Sequence, residues 1–209
     1  MMKADIDDIQ YVMNIANEKE FMMRFITYCI SPTIAGYKPV SIITISNNYK
    51  QMYTLWQNYG DEYMENISLK IFNLQHTQEK IVIIFYNEDM LKETIFKASN
   101  KEFLYKFGYS SDMSVESHLM HLKSRFFFHV CPHEMGIFLG IPLGDVEGFI
   151  ECSGDKYIYC GYWKIYENVE KAIGIFDSYN RCKCNLVNLL KNDTPLPNAI
   201  DILERKCYK

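Results

Sequence analysis

The residues best suited to chemistry lie in one stretch, HVCPHEMGIFLGIPLGDVEGF, at residues 129–149. Within it, Cys131, His133 and Glu134 offer a thiol, an imidazole and a carboxylate. Proline favours the first turn of a helix, so Pro132 predicts a helix over 132–139 with Cys131 as its N-cap. A helix N-terminus and a nearby imidazole lower the pKa of a thiol, which makes Cys131 a candidate nucleophile. A small apolar core thiol beside a first-turn acid is the structural alternative.

A second chemically rich loop, CISPTIAGYKP at residues 29–39, carries a thiol, a hydroxyl and a cation in Cys29, Thr33 and Lys38. A thiol in one part of the chain and a histidine in another are compatible with a nucleophilic pair. In such an enzyme, a hydrolase or transferase, Cys29 or Cys131 would attack and His133 would be the general base. The sequence does not show whether either thiol meets His133.

Four of the five histidines lie between positions 118 and 133. On a helix, His118, His121 and His129 form one stripe with Arg125, at spacings of three and four. Imidazoles so spaced can share a metal ion, but no standard zinc spacing such as HExxH is present. We favour a semi-exposed helix flank over a metal site for the stripe, and keep His133 as the candidate metal ligand.

Composition limits the classes of protein that this chain can represent. Its 209 residues are 48% hydrophobic, 23% charged and 15% aromatic, as in a globular domain with rings available for core or pocket. The net charge of −4 argues against a nucleic-acid partner. An acidic N-terminus without a secretory signal, and the lack of a long apolar run, predict a cytoplasmic protein with reduced thiols and no membrane partner.

Hydrophobic periodicity gives a coarse map of the elements. Helices are predicted over 5–30, 48–59, 88–99, 114–129 and 167–179, with another short helix around Phe103. Strands are predicted over 41–46, 67–74, 81–86 and 156–166. Pro32 and Gly60 are expected to end the first two helices. The alternation predicts one α/β or α+β layered domain over residues 1–209, with about four strands flanked by helices. Residues 181–209 would form a short C-terminal helical appendage.

Glycine recurs at every fourth residue of the opening stretch, at Gly136, Gly140, Gly144 and Gly148. Small residues let another backbone or a flat ligand approach closely. Pro142 interrupts the ladder, so we expect two short helices, over 132–139 and 142–150, joined at residues 140–141. Their core residues would be Met135, Phe138, Leu139, Val146, Phe149 and Ile150. A tightly packed corner is favoured over a ligand contact for the glycines.

Several of these segments together resemble a family signature. PHEMG at 132–136, FLGIP at 138–142, DVEGF at 145–149 and GYWKIY at 161–166 are similar to motifs of an uncharacterised family from clostridia and other anaerobic Firmicutes. The loop at 29–39 fits the same pattern. Met135, Ile141 and Ser31 depart from it, and Phe is frequent in the family where this chain has Cys131. The resemblance implies these site residues: Arg125, His133, Glu134, Cys29, Lys38, Trp163 and Lys164.

The resemblance brings no established activity, but related genes are associated with iron-transport and flavodoxin genes. We therefore expect a cytosolic binding or accessory protein for a cofactor-sized small molecule, with haem, iron and flavin as the cofactors to test. His133 would be the ligand or polar anchor. Arg125, Cys131, Lys38, Trp163 and Lys164 would help to bind the cofactor. The enzyme with a catalytic Cys29 or Cys131, His133 and Glu134 is the alternative.

Overall fold

The computed structural model describes residues 9–205 except Met13, His129 and Val130. The chain forms two compact units. The first contains the chain up to Asn87 together with the part that begins at Asp177, and the second is Glu88–Phe176. Among the described residues, no helix is long and apolar enough to cross a membrane.

The first unit contains a three-stranded antiparallel sheet of β1 (Val40–Ser46), β2 (Lys70–His76) and β3 (Lys80–Tyr86). The order is β1-β3-β2, and Ile84 pairs with Ile42 on one side and Phe72 on the other. Residues 81–86 are all buried, which confirms the central strand that their apolar run predicts. The expected α/β or α+β fold with a sheet flanked by helices is confirmed, with three strands in this sheet, while residues 156–166 form a separate two-stranded hairpin in the second unit.

Helix α1 (Glu18–Ile34) begins at Asn17, whose side chain accepts a hydrogen bond from the Glu20 amide at 2.9 Å. It does not end before Pro32, as the sequence suggested. Proline lacks the amide that would bond Tyr28 O, and the Ser31 hydroxyl donates to that carbonyl instead at 3.0 Å. The prolyl residue therefore fits inside the last turn of the helix.

Besides a short helical segment at residues 9–12, the described part of the first unit contains three more helices. They are α2 (Met52–Met64), the part of α8 (Val169–Lys191) after Phe176, and α9 (Leu196–Glu204). Gly60 lies inside α2 and does not end it, and the Trp56 ring packs where a side chain at this position would be. Helix α8 extends 12 residues beyond the predicted end at 179. Residues 181–205 supply buried side chains to the core of this unit, such as Leu186, Val187 and Leu203.

The second unit contains helices α3 (Glu88–Phe96), α4 (Ala98–Tyr105), α5 (Val115–Phe128), α6 (Met135–Phe138) and α7 (Leu143–Glu151). The sequence predicts α3, α4 and α5 within a few residues. Leu91, Leu119 and Leu122 are fully buried where α3 packs on α5. Helix α3 also contacts α6, and α6 contacts α7.

The bend between α6 and α7 is confirmed, but α6 is a single turn. Residues 132–134 form a turn in which Met135 N donates to Pro132 O at 3.0 Å, so the helix begins three residues later than predicted. Gly140 has a φ of 77°, and Ile141 N donates back to Gly136 O at 2.9 Å. Phe149, expected in the core, is 37% exposed, and Leu139 and Ile150 are half-buried.

The long strand predicted over 156–166 is wrong. It is a short hairpin of β4 (Tyr159–Cys160) and β5 (Lys164–Ile165), closed by a hydrogen bond from Gly161 N to Trp163 O at 3.0 Å. Gly161 is required for packing, because a Cβ there would collide with the Phe176 ring. The aromatic residues around Gly161 resemble a strand in their composition, but the glycine is where the chain turns.

We predict that Gly161→Ala lowers the free energy of unfolding by about 2 kcal/mol, because Phe176 must move to admit the methyl group. Chemical denaturation measures this change. Gly174→Ala is the matched control: a Cβ at Gly174 meets nothing within 4 Å, and alanine favours the helix by up to about 1 kcal/mol. Equal effects of both substitutions would contradict the packing role of Gly161.

Candidate ligand site

A cavity of about 320 Å³ lies in the second unit, between residues 131–133, helices α6 and α7, and the β4–β5 hairpin. This volume is at the lower end of the range for small-molecule sites. The walls are mainly apolar and aromatic, formed by Met135, Leu139, Ile141, Val146, Phe149, Tyr162 and Trp163. Its polar lining groups include Cys131, His133, Asp145, Cys160 and Lys164. We refer to it as the Trp163 cavity.

Glu134 and His133 are adjacent in sequence but have different surroundings: Glu134 pairs with α5, and His133 lines the cavity. Glu134 is fully buried and pairs with Arg125, whose Nε donates to Oε1 and whose Nη2 lies 3.3 Å from Oε2. His133 is exposed and lines the cavity, with its ring centroid 5.7 Å from that of Phe149. The ion pair therefore ties the turn to α5, while the imidazole faces the cavity.

Tyr109 completes the surroundings of the ion pair. Burial raises the pKa of Tyr109, and the nearby Glu134 carboxylate raises it further. Its buried hydroxyl lies close to that carboxylate but forms no hydrogen bond of good geometry among the described groups. The Arg125 guanidinium also lies 5.2 Å from the centroid of the Phe107 ring. Arg125 and Glu134, both predicted as site residues, are thus placed beside each other and away from the cavity lining.

The opposite wall is fixed by Asp145, which is only 3% exposed. Its Oδ2 accepts a hydrogen bond from Trp163 Nε1 at 2.7 Å. Its Oδ1 accepts from the amides of Tyr166 at 2.8 Å and Glu167 at 3.2 Å. One carboxylate on α7 therefore holds both the indole and the backbone after β5. Hydrogen bonds to a charged acceptor are stronger than neutral ones, which suits this buried position.

The glycine ladder explains how the hairpin comes so close to α7. A Cβ at Gly148 would lie 2.5 Å from the Tyr166 Cβ, and one at Gly144 would collide with the Glu167 side chain. Within the bend, a Cβ at Gly136 would lie 2.7 Å from Val146 Cγ2. These glycines permit protein segments to pack, as the corner interpretation proposed, and not a ligand to enter.

Trp163 and Lys164 bring a ring and a cation to the same wall. The Trp163 ring packs edge-on against Phe176, with the centroids 4.4 Å apart. Lys164 Nζ donates to Gly154 O at 2.7 Å and lies 4.9 Å from the centroid of the Tyr157 ring. No described carboxylate forms an ion pair with Lys164, so its charge is available to an acidic ligand.

The thiol chemistry expected of Cys131 lacks its structural basis. The prediction that Cys131 caps a helix is wrong, since α6 begins at Met135 and its N-cap is Glu134. Partial burial raises the pKa of Cys131, and the Glu134 carboxylate raises it further. Cys131 is nonetheless exposed and lines the cavity together with His133 and Cys160.

Cys29 and Lys38 lie in the first unit, whereas His133 lies in the second. Burial raises the pKa of Cys29 to about 11, although nearby Lys183 opposes the shift. Burial, and then the charge of Lys183, lower the pKa of Lys38 to about 8. The Cys29 thiol is therefore mostly protonated at neutral pH. A pairing of Cys29 with His133 stays a prediction.

The histidine stripe has structural roles. His118 Nδ1 lies 2.9 Å from Ser114 O, and His121 Nε2 lies 2.9 Å from Phe107 O. The Tyr109 ring stacks on His118 and meets His121 edge-on. Within the described part of the chain, no three His, Cys, Asp or Glu side chains cluster so that they could hold a metal ion. His129 lies outside the described residues.

Asp145 is the main site residue that sequence reasoning did not single out. It appeared only as part of the DVEGF motif, and an acid in the first turn of a helix needs no special explanation. The sequence feature that could have identified Asp145 is the apolar segment around it. A carboxylate in such a segment is buried only if several donors bind it.

A family model described as "Protein of unknown function (DUF3793)" matches residues 26–199, so the chain belongs to that family. The match includes every described residue that lines the Trp163 cavity. Neither a curated protein nor a solved structure matched the chain. An origin in anaerobic bacteria stays a prediction.

We predict that Asp145→Asn lowers the free energy of unfolding by about 2 kcal/mol, because the amide nitrogen faces the Trp163 donor or one of the backbone donors. Trp163→Phe removes one donor and some ring area. Since the two residues share a bond, the double variant should be less destabilised than the sum of the singles. Strict additivity in denaturant melts would contradict the account.

Glu134→Gln should destabilise the protein by about 2 kcal/mol or more, because Arg125 loses its charged partner while remaining mostly buried. Tyr109→Phe removes a buried hydroxyl that forms no well-oriented hydrogen bond, so it should leave stability unchanged or raise it by up to about 1 kcal/mol. Thermal melts of the two variants compare them directly. A larger loss for Tyr109→Phe would show that its hydroxyl makes a stabilising bond.

Proposed function

We propose that this member of the DUF3793 family is a binding protein for a small, planar, largely apolar molecule that carries an acidic group. The observation that carries the proposal is the Trp163 cavity, which combines aromatic walls with a small number of polar groups. Sites for small molecules have this composition, because apolar walls supply affinity and a few polar groups set orientation.

Two polar groups suit an acidic substituent. The Lys164 ammonium forms no ion pair with a described carboxylate, and its bond to Gly154 O occupies only one of its three donors. His133 adds an exposed imidazole to the lining of the same cavity. A planar ring between Phe149 and Trp163 could place a carboxylate or phosphate within reach of either group.

Haem and flavin are the cofactor-sized members of this ligand class, since each joins a planar ring system to acidic groups. Several lining side chains are of types that ligate a haem iron, among them His133, Cys131 and Cys160. A bare iron ion is less well supported, because no metal-binding cluster occurs among the described residues. Haemin, flavin mononucleotide and ferrous iron are therefore each titrated separately into the protein, and binding is followed by absorbance.

The chain contains two tryptophans, so Trp56→Phe leaves Trp163 as the only indole reporter. We predict that 1-naphthoate quenches Trp163 emission in this protein and binds at least tenfold more tightly than the neutral 1-naphthamide. Lys164→Met should remove that preference, since a charge-assisted hydrogen bond contributes about 1.5–3 kcal/mol. Equilibrium fluorescence titration measures both affinities.

Lys171→Met is the matched control, because Lys171 is exposed on α8 and does not line the cavity. It should leave the preference unchanged. Equal binding of naphthoate and naphthamide, or an equal effect of both lysine variants, would overturn the acidic-ligand proposal. No quenching by naphthoate, haemin or the flavin would overturn ligand binding at this cavity.

The enzyme alternative keeps one observation in its favour: the Cys131 thiol and the His133 imidazole line the same cavity. We predict ordinary reactivity, because partial burial and Glu134 raise the pKa of Cys131. Alkylation of Cys131 by iodoacetamide, followed by peptide mass spectrometry, should be slow at pH 6 and accelerate about tenfold per pH unit up to at least about pH 8.5, because only the thiolate reacts. Fast alkylation at pH 6 that is lost in His133→Ala would instead support the nucleophile, with Cys152→Ser as the control.

A further inference from the structure

A second cavity, of about 420 Å³, lies elsewhere in the second unit, between the end of α3, helix α4, residues 109–111 and helix α5. We refer to it as the His118 cavity. Its lining includes the rings of Phe96, Tyr105, Tyr109 and His118, and the polar side chains of Lys101, Glu102, Ser110 and Ser111. None of these residues lines the Trp163 cavity.

His118 is held rigidly in this wall. The residue is only 2% exposed, and its ring lies between Phe96, which meets it edge-on with the centroids 5.3 Å apart, and Tyr109, which stacks on it at 5.4 Å. Its Nδ1 lies 2.9 Å from Ser114 O. Since a carbonyl oxygen can only accept, Nδ1 must carry the proton and donate.

The tautomer of His118 with its proton on Nδ1 has a hydrogen-bond acceptor at Nε2. Burial lowers the pKa of His118, and the nearby His121 lowers it further, whereas the Ser114 carbonyl opposes the shift, so the ring is neutral at physiological pH. A neutral ring that donates from Nδ1 presents a lone pair at Nε2. Among the described groups, nothing donates a hydrogen bond to Nε2. Nε2 is also absent from the set of fully buried polar atoms without a partner, which contains Arg24 Nε, Tyr109 Oη and Tyr166 Oη. The His118 ring lines the cavity, and Nε2 is its ring nitrogen without a hydrogen-bond partner among the described groups.

The rim supplies a ring and two charges. Tyr105 is 74% exposed, although it lines the cavity, so its ring is available to cover an occupant. Lys101 and Glu102 carry opposite charges at the same rim and favour no net charge on the occupant. The cavity thus offers aromatic surface and a fixed acceptor to a neutral molecule.

We propose that the His118 cavity is a binding site for a neutral, planar nitrogen heterocycle, whose ring N–H donates a hydrogen bond to His118 Nε2. The ring lies against the aromatic lining, and Tyr105 covers it. A heterocycle without an N–H leaves the buried acceptor unpaired, which gives the site its selectivity. This site is independent of ligand binding at the Trp163 cavity.

The test is an NMR titration with two probes of nearly equal shape, indole and 1-methylindole, of which only indole has an N–H. Indole is expected to shift the ¹⁵N resonance of His118 Nε2 and the amides of Ser110 and Ser111. It should bind about tenfold more tightly than 1-methylindole, which corresponds to one hydrogen bond. Because the wild-type protein is used, the result does not depend on a variant that folds.

Tyr105→Ala should weaken indole binding severalfold without a change in melting temperature, since the ring is mostly exposed. Tyr157→Ala, at an exposed ring that does not line this cavity, is the matched control and should have no effect. Equal affinities for the two probes would overturn the proposal. So would indole shifts confined to Trp163 and its neighbours, or an unmoved His118 Nε2 at saturation.

Discussion

Three hydrogen bonds to one buried carboxylate, that of Asp145, determine the geometry of the proposed ligand site. A carboxylate withdrawn from water must be paired or solvated by donors. Here the donors are the indole of Trp163 and two backbone amides that follow β5. The hairpin has only two residues in each strand, so few backbone hydrogen bonds hold it. The bonds to Asp145 therefore help to fix its position.

A second buried carboxylate acts in the same way on the other side of the Trp163 cavity. Glu134 anchors its turn to Arg125 on α5, and this leaves His133 exposed toward the cavity. Both acidic residues are thus supports, but Asp145 also lines the cavity, whereas Glu134 does not. This division separates Glu134, first considered with His133 as a catalytic pair, from the chemistry of the site.

Elements with a strong local pattern could be predicted from the sequence. The apolar run at 81–86 indicated the central strand, and the periodicity of 114–129 indicated α5, because each pattern reflects burial on a regular element. The family resemblance found the segments that build the Trp163 cavity. The glycine ladder also predicted a packed corner, and Gly148 against Tyr166 shows the reason.

The failures involve particular side-chain contacts, local or distant, that hydrophobic periodicity does not show. Pro32 stays inside α1 because Ser31 replaces the missing donor, and Gly60 stays inside α2, where the Trp56 ring packs against it. The aromatic run at 156–166 turns at Gly161 because Phe176 packs there. Cys131 was assigned a lowered pKa from an expected helix boundary, but the helix begins at Met135. Neither the partner of Glu134 nor the donors of Asp145 are adjacent in sequence.

The most direct test of the account is the ¹H–¹⁵N signal of the Trp163 indole in Trp56→Phe protein, recorded before and after addition of 1-naphthoate. One signal reports both the bond to Asp145 and the occupant of the cavity. We predict a downfield indole N–H that exchanges slowly with solvent and moves on saturation with naphthoate. An indole N–H that exchanges as fast as in the unfolded chain, or one that naphthoate leaves unmoved, would contradict it.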